Sequence, residues 1–160
     1  MKFTDLNAHG GIGANCSLCE IGPFRFVVDS GLHPKFAGPE SVPRHGEIDR
    51  FSVDFIILTH CHLDHLGSLP ILSRDQPDAP IILSYASSIL ARRMLSNSIS
   101  VMKRQRSELN IPELPYYGRG DLSSLYERFK TPQLHSPFRL EKNGDSIEIT
   151  LHHAGHVAGA

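Results

Sequence analysis

Apolar residues fall in short runs along this chain, mostly of strand length, and turn-forming residues separate them. Lys2 to Ala8 alternates weakly and predicts a first strand. Ala14 to Ile21 and Phe24 to Val28 predict two strands joined at Gly22-Pro23, a hairpin signal. Leu32 to Glu47 is rich in Pro and Gly and predicts a long surface loop with His33 and His45 in solvent, although His33 follows Asp29 closely enough to stay a weak candidate site residue. Phe55-Ile56-Ile57-Leu58 is apolar throughout, as a strand buried on both faces requires, and Leu66, Leu69, Ile71 and Leu72 predict a short helix after it. Pro80 to Leu83 predicts another short strand. From Tyr85 to about Leu109 the residues suit a helix or a broken pair, with Ile89, Leu90, Met94 and Leu95 at helical spacing and Pro112 and Pro115 beyond. Asp121 predicts the N-cap of a short helix running through Phe129. Phe138 to Leu140 and Ser146 to Leu151 predict two strands across Asn143-Gly144-Asp145.

Length adds that these elements make one domain: 160 residues, 40% hydrophobic, support a core but not two. A formal charge of −1 gives no bulk attraction for a polyanion, so nucleic-acid binding would need local basic patches. Arg92, Arg93, Lys103, Arg104 and Arg106 form one basic stretch, although a charged run on a helix is usually a solvated face. The N-terminus lacks the apolar run of a secretory signal, and no segment approaches membrane-spanning length. The expectation is a soluble, cytoplasmic chain with no membrane partner. Cys16 and Cys19 form a C-x-x-C with no second pair at zinc-finger spacing, so they are expected to be core cysteines, and Cys61 lies between two histidines.

The chemistry concentrates in Thr59 to Gly67, T-H-C-H-L-D-H-L-G. His60, His62, Asp64 and His65 are all metal-ligand types. In an extended segment His60 and His62 point to one side, while Asp64 and His65 sit where the helix begins and can turn toward a second point. One turn can thus present two ligand pairs to two ions roughly 3.5–4 Å apart, as a two-metal hydrolase needs. Asp29 ends a strand, where an acid near a metal centre can orient a ligand histidine; an ordinary turn residue is the equal alternative. His156, in a Gly-flanked loop after the last strand, is favoured as third ligand of the ion held by His60 and His62. His152 and His153 lack that context. Gly10-Gly11-Ile12-Gly13 is a flexible turn rather than a phosphate loop, since no G-K-[ST] follows.

His60-x-His62-x-Asp64-His65 resembles the signature of the metallo-β-lactamase superfamily. A-G-H-V-A-G-A around His156 resembles the third-ligand motif of its β-CASP branch, which contains RNA and DNA nucleases, and N-C-S-L-C followed by V-V-D-S-G resembles that branch's first motif, with Asp29 as its acid. Ala158 stands where the branch often has a larger aliphatic residue. The resemblance implies an α/β (α+β) fold, the first half of a metallo-β-lactamase αββα sandwich. Residues 1–160 would be a partial domain, with the β-CASP insert and the C-terminal half absent. It implies two Zn2+: one on His60, His62 and His156, the other on Asp64 and His65. Asp64 would be catalytic as well as a ligand, a hydroxide between the ions would attack phosphorus, and Asp29 would support a ligand from behind. The substrate would be RNA or single-stranded DNA, with no substrate-binding residue identified. Because such proteins carry further ligands beyond the His156 motif, the second site is expected to be incomplete here, and a homo-oligomer or a completing partner chain is an open alternative. A small-molecule thioester or lactone hydrolase of the same superfamily, and a non-catalytic truncated or split-subunit remnant, are the competing functions.

Overall fold

A computed structural model describes residues 1–160. Six strands form one sheet in sequence order, β1 (Lys2–Asp5), β2 (Ser17–Ile21), β3 (Phe24–Val28), β4 (Phe55–Ile57), β5 (Ile81–Ile82) and β6 (Phe129–Lys130). The first three are antiparallel, and β3 through β6 are parallel. The predicted hairpin closes at Gly22, whose φ of 54° is the left-handed value that glycine adopts without strain. The parallel strands are apolar at consecutive positions because both faces are covered. Val27, Ile56, Leu58, Ile81 and Leu83 point into a cluster of 23 buried residues, while Phe26, Phe55 and Ile82 point to the opposite side.

Helices cover the first face: α1 (Leu63–Leu66), α2 (Leu69–Asp75), α3 (Tyr85–Glu108) and α4 (Arg119–Glu127). The hairpin of β7 (Pro137–Lys142) and β8 (Asp145–Thr150) covers the second, setting Phe138, Leu140, Ile147 and Ile149 against Phe26 and Phe55. Lys142 Nζ anchors the hairpin through Asp54, at 2.7 and 2.8 Å. Cys16 and Cys19 fall in different clusters, on opposite faces of the sheet. Cys16 and Cys19 are free and buried, as expected, Cys61 is free and buried too, and a shared metal at the C-x-x-C is excluded by that geometry.

Several details differ from the sequence reading. The long helix is unbroken over 24 residues, started by Ser84 Oγ accepting from the Ser87 N–H at 3.1 Å. Its buried stripe is Ser87, Ala91, Leu95, Ser98, Ile99 and Met102, whereas Ile89 is exposed. Small residues face inward there because the chain segments around Cys61 and Gly159 pack directly on the helix. Asp121 is not the N-cap of α4: Gly118 is, and Asp121 sits one turn in, with its carboxylate accepting the Gly118 N–H at 2.7 Å. The helix ends at Glu127, and Phe129 begins β6, since pairing with β5 outweighs helix continuation. The 32–47 loop contains two short 3-10 turns, and its histidines are not in solvent. His33 is buried against Phe36, with ring centroids 4.5 Å apart, and His45 Nε2 lies 2.9 Å from Ser30 Oγ.

Candidate metal centre

Parallel strands β3 and β4 end side by side, and the chain leaving each supplies the site. Carboxyl ends of parallel strands are where open α/β sheets commonly place ligands. After β4 the backbone passes through Thr59 to His62 and enters α1, a single turn whose carbonyls have almost no helical partners of their own. Two segments satisfy them, the chain leaving β3 and the chain entering β2. Leu32 N–H donates to Leu63 O at 2.8 Å, Asn15 N–H to Asp64 O at 2.8 Å, and Ser30 N–H to His65 O at 2.7 Å. Gly31 lies so close beneath this turn that a Cβ there would sit 1.7 Å from Asp64 O. A four-residue helix is marginal alone; here the β3 exit and Asn15 clamp it.

The clamp also organises the side chains. Asp29 is 5% exposed and accepts three hydrogen bonds: from the Thr59 N–H at 2.8 Å, the Thr59 hydroxyl at 2.8 Å, and His65 Nδ1 at 2.8 Å. Since the Thr59 proton goes to Asp29, the same hydroxyl oxygen is free to accept from His60 Nδ1, 3.0 Å away. One carboxylate thus assigns both imidazoles the Nδ1–H tautomer and leaves each Nε2 lone pair facing the site, which is how buried partners prepare metal-binding histidines. Burial first, then the neighbouring His65, holds the His60 pKa below its usual value. Burial would also lower His65, but the hydrogen bond and charge of Asp29, with Asp64 adding, outweigh it and hold His65 above the ordinary value.

His60, His62 and His156 come together: each offers a ligand nitrogen, and these atoms lie within 4.8 Å of one another. His156 reaches the site from the loop after β8, its ring 5.1 Å from His60 and 5.0 Å from His62. That loop is fixed to the start of α3 by Gly159, whose carbonyl accepts from Ser84 Oγ at 2.7 Å and Ser87 Oγ at 3.0 Å. Asp64 and His65 form the second pair, with Oδ2 and Nε2 3.7 Å apart, and the His65 ring lies 4.1 Å from that of His60. All six residues named for the site, Asp29 included, are therefore one connected group. The donor types, four imidazoles and one carboxylate, suit zinc. Three of them gather at one point and two beside it. His33 stands apart, its Nδ1 accepting the Lys35 N–H.

Asn15 escaped the sequence reading. Its Nδ2 donates to Asp64 O at 3.0 Å and lies 3.1 Å from His65 Nε2 and 3.5 Å from Asp64 Oδ2. Only its place before Cys16, 49 residues from Asp64, hints at this in sequence, and no local pattern reaches that far.

The family model described as the metallo-beta-lactamase superfamily matches residues 9–159. The chain belongs to the metallo-β-lactamase superfamily. Within it, similar proteins include Endoribonuclease YSH1 of Yarrowia lipolytica, 29% identical over 99% of this chain and 18% of its own length, and Endoribonuclease YSH1 of Saccharomyces cerevisiae, 28% identical over 99% and 20%. Cleavage and polyadenylation specificity factor 73 of Drosophila melanogaster is 26% identical over 100% of this chain and 22% of its own length. These relatives agree with the β-CASP resemblance. The chain spans about a fifth of the length of the curated relatives it matches. Among solved structures, an archaeal metallo-β-lactamase superfamily protein from Sulfolobus tokodaii is 17% identical, covering 85% of this chain and 50% of that one with a TM-score of 0.49. The superfamily is metal-dependent, and the histidine cluster is a group that could bind a metal. No helix is long and apolar enough to cross a membrane.

Proposed function

We propose that the protein hydrolyses phosphodiester bonds with two zinc ions and acts on RNA, as an endoribonuclease of the β-CASP branch. The observation that carries this reading is the convergence of His60, His62 and His156 beside the Asp64–His65 pair, at the ends of β4 and β8. The relatives named endoribonuclease support RNA over single-stranded DNA and over a thioester or lactone. In this reading residues 1–160 are the first part of a metallo-β-lactamase domain within a longer protein, and its cytoplasmic placement is part of the same proposal.

His60, His62 and His156 would hold one ion, and Asp64 and His65 the other. A bound zinc pair would supply an activated water at neutral pH and positive charge beside the phosphoryl oxygens. The chain's own residues do the rest. Asp29 and Thr59 hold the His60 and His65 rings in the Nδ1–H form, so no tautomer change is needed at either donor nitrogen. Asn15 fixes the backbone of Asp64, and the Gly159 carbonyl holds the His156 loop against α3. Asp64 and His65 are two ligands where zinc usually takes four. The second ion would draw the others from solvent, from residues of the longer protein, or from a second copy or partner chain.

The test is turnover of RNA, single-stranded DNA and a thioester by the zinc-loaded longer protein, beside its Asp64→Ala variant. RNA cleavage that disappears in the variant supports the proposal. Thioester turnover without RNA cleavage, or RNA cleavage equal in both proteins, overturns it.

A further inference from the structure

His135, His152 and His153 lie outside the group just described, and nothing in the proposed chemistry uses them. The chain entering the last hairpin and the chain leaving it bring the first two together. Pro137 pairs with Thr150 at the open end of the hairpin, and beyond that pair the His135 N–H donates to Leu151 O at 2.9 Å. The backbone turns at His135, just before the ladder begins, and this places its side chain near His152.

The imidazoles turn toward one another. Nδ1 of His135 and Nδ1 of His152 are 3.1 Å apart, and the His153 ring centroid lies 5.8 Å from that of His135. Two nitrogens bound to one ion at about 2.0–2.1 Å would be roughly 3.0–3.4 Å apart, so the pair already has the spacing of two ligands on one metal. All three side chains are exposed, which leaves the other coordination positions to water. His135 also has a left-handed backbone, φ 60°, a conformation non-glycine residues adopt uncommonly and one that recurs at ligand clamps.

We propose that His135 and His152, with His153 beside them, form a separate transition-metal site for an imidazole-preferring divalent ion such as Ni2+, Cu2+ or Zn2+. An ion there staples the chain entering β7 to the chain leaving β8. The second of these continues, four residues after His152, into His156. The site is thus a clamp at the root of the loop that carries His156, and it does not depend on the phosphodiester chemistry proposed above.

Nickel titration of the whole 160-residue chain by calorimetry tests this, with circular dichroism to verify the fold of each variant. In a His60→Ala/His62→Ala chain, one Ni2+ per chain should still bind, and adding His135→Ala or His152→Ala should weaken that binding by roughly tenfold or more, since each removes one of two protein ligands. In the otherwise unaltered chain, His135→Ala alone should lower the number of bound Ni2+ by one and abolish the part of the metal-induced rise in melting temperature that the double variant retains. The proposal is overturned if the double variant is folded but binds no Ni2+. It is equally overturned if binding is unchanged by His135→Ala and by His152→Ala, or if Cu2+ bound to the double variant shows fewer than two coordinated imidazole nitrogens by electron paramagnetic resonance.

Discussion

Asp29→Asn separates the charge of Asp29 from its shape. The backbone at Asp29 has φ 60°, which asparagine tolerates nearly as well as aspartate, so the substitution introduces no new backbone strain. One amide oxygen can still accept the Thr59 N–H at the Oδ1 position. The amide nitrogen then falls at Oδ2, where the Thr59 hydroxyl and His65 Nδ1–H both donate at 2.8 Å. Three donors would meet with no acceptor. The hydroxyl can rotate away, but His65 can relieve the clash only by moving its proton to Nε2, the nitrogen that faces the site. A hydrogen bond to a charged partner contributes about 1.5–3 kcal/mol, so folding stability should fall by roughly 2–3 kcal/mol after partial relief by the hydroxyl. Loss of an outer partner of a metal-binding histidine typically costs about 10–100-fold in metal affinity. Zinc affinity should therefore drop within that range, and nitrogen NMR of the imidazoles should show His65 changing from the Nδ1–H to the Nε2–H tautomer. Urea denaturation of the metal-free protein gives the stability change. If Asp29→Asn leaves the His65 tautomer unaltered and zinc affinity within a factor of two, Asp29 does not organise these rings and the account of the site is wrong.

Three further outcomes follow from the packing around the site. Gly31→Ala would drive a Cβ into the Asp64 carbonyl, and because both sides of that clash are backbone, at least about 4 kcal/mol of stability should be lost in a denaturant titration. Burial pushes the His45 pKa down to about 4, against a smaller opposing influence of Asp75; the unfolded chain near 6.5 takes up the proton first, so this stabilisation is complete above pH 6.5 and fades as pH falls toward 4. Melting curves across that window should show a loss of at most about 3 kcal/mol from this residue, and His45→Gln should remove that part of the slope. Arg128 donates to the carbonyls of Ser73, Gln76 and Ala79 at the end of α2, at 3.2, 2.6 and 3.2 Å, so Arg128→Met should cost about 2–3 kcal/mol, read from the same denaturant titrations.

What could be read from the sequence, and what could not, divides by the distance over which the deciding interaction acts. The Thr59–Gly67 turn was legible because strand, donors and helix start are contiguous, so the two-residue period of a strand and the onset of a helix alone place the two pairs. The β2–β3 and β7–β8 hairpins were legible for the same reason, each closing over a short turn whose glycine has positive φ. Asp29 was legible only as an even choice between a turn residue and a ligand support. What decides it is Thr59, 30 residues on, and the parallel pairing of β3 with β4 that brings the two strand ends together. β6 was lost for a related reason. Two residues carry no period, Phe129 follows a helix without a breaker, and only the waiting edge of β5 makes Phe129 and Lys130 a strand. His45 shows the opposite error, a polar residue in a Pro- and Gly-rich loop taken for solvated. The loop folds back so that His45 meets Ser30, and Ser30 Oγ lies 2.8 Å from Ser68 Oγ at the start of α2. That buried chain of polar groups adjoins Asp29 through the backbone, tying the 32–47 loop to the residue that organises the site. A substitution that loosened His45 should therefore reach the zinc affinity of His65, whereas one at the exposed Ile89 should not, and comparing the two by zinc titration separates a loop that merely covers the site from one that holds it in place.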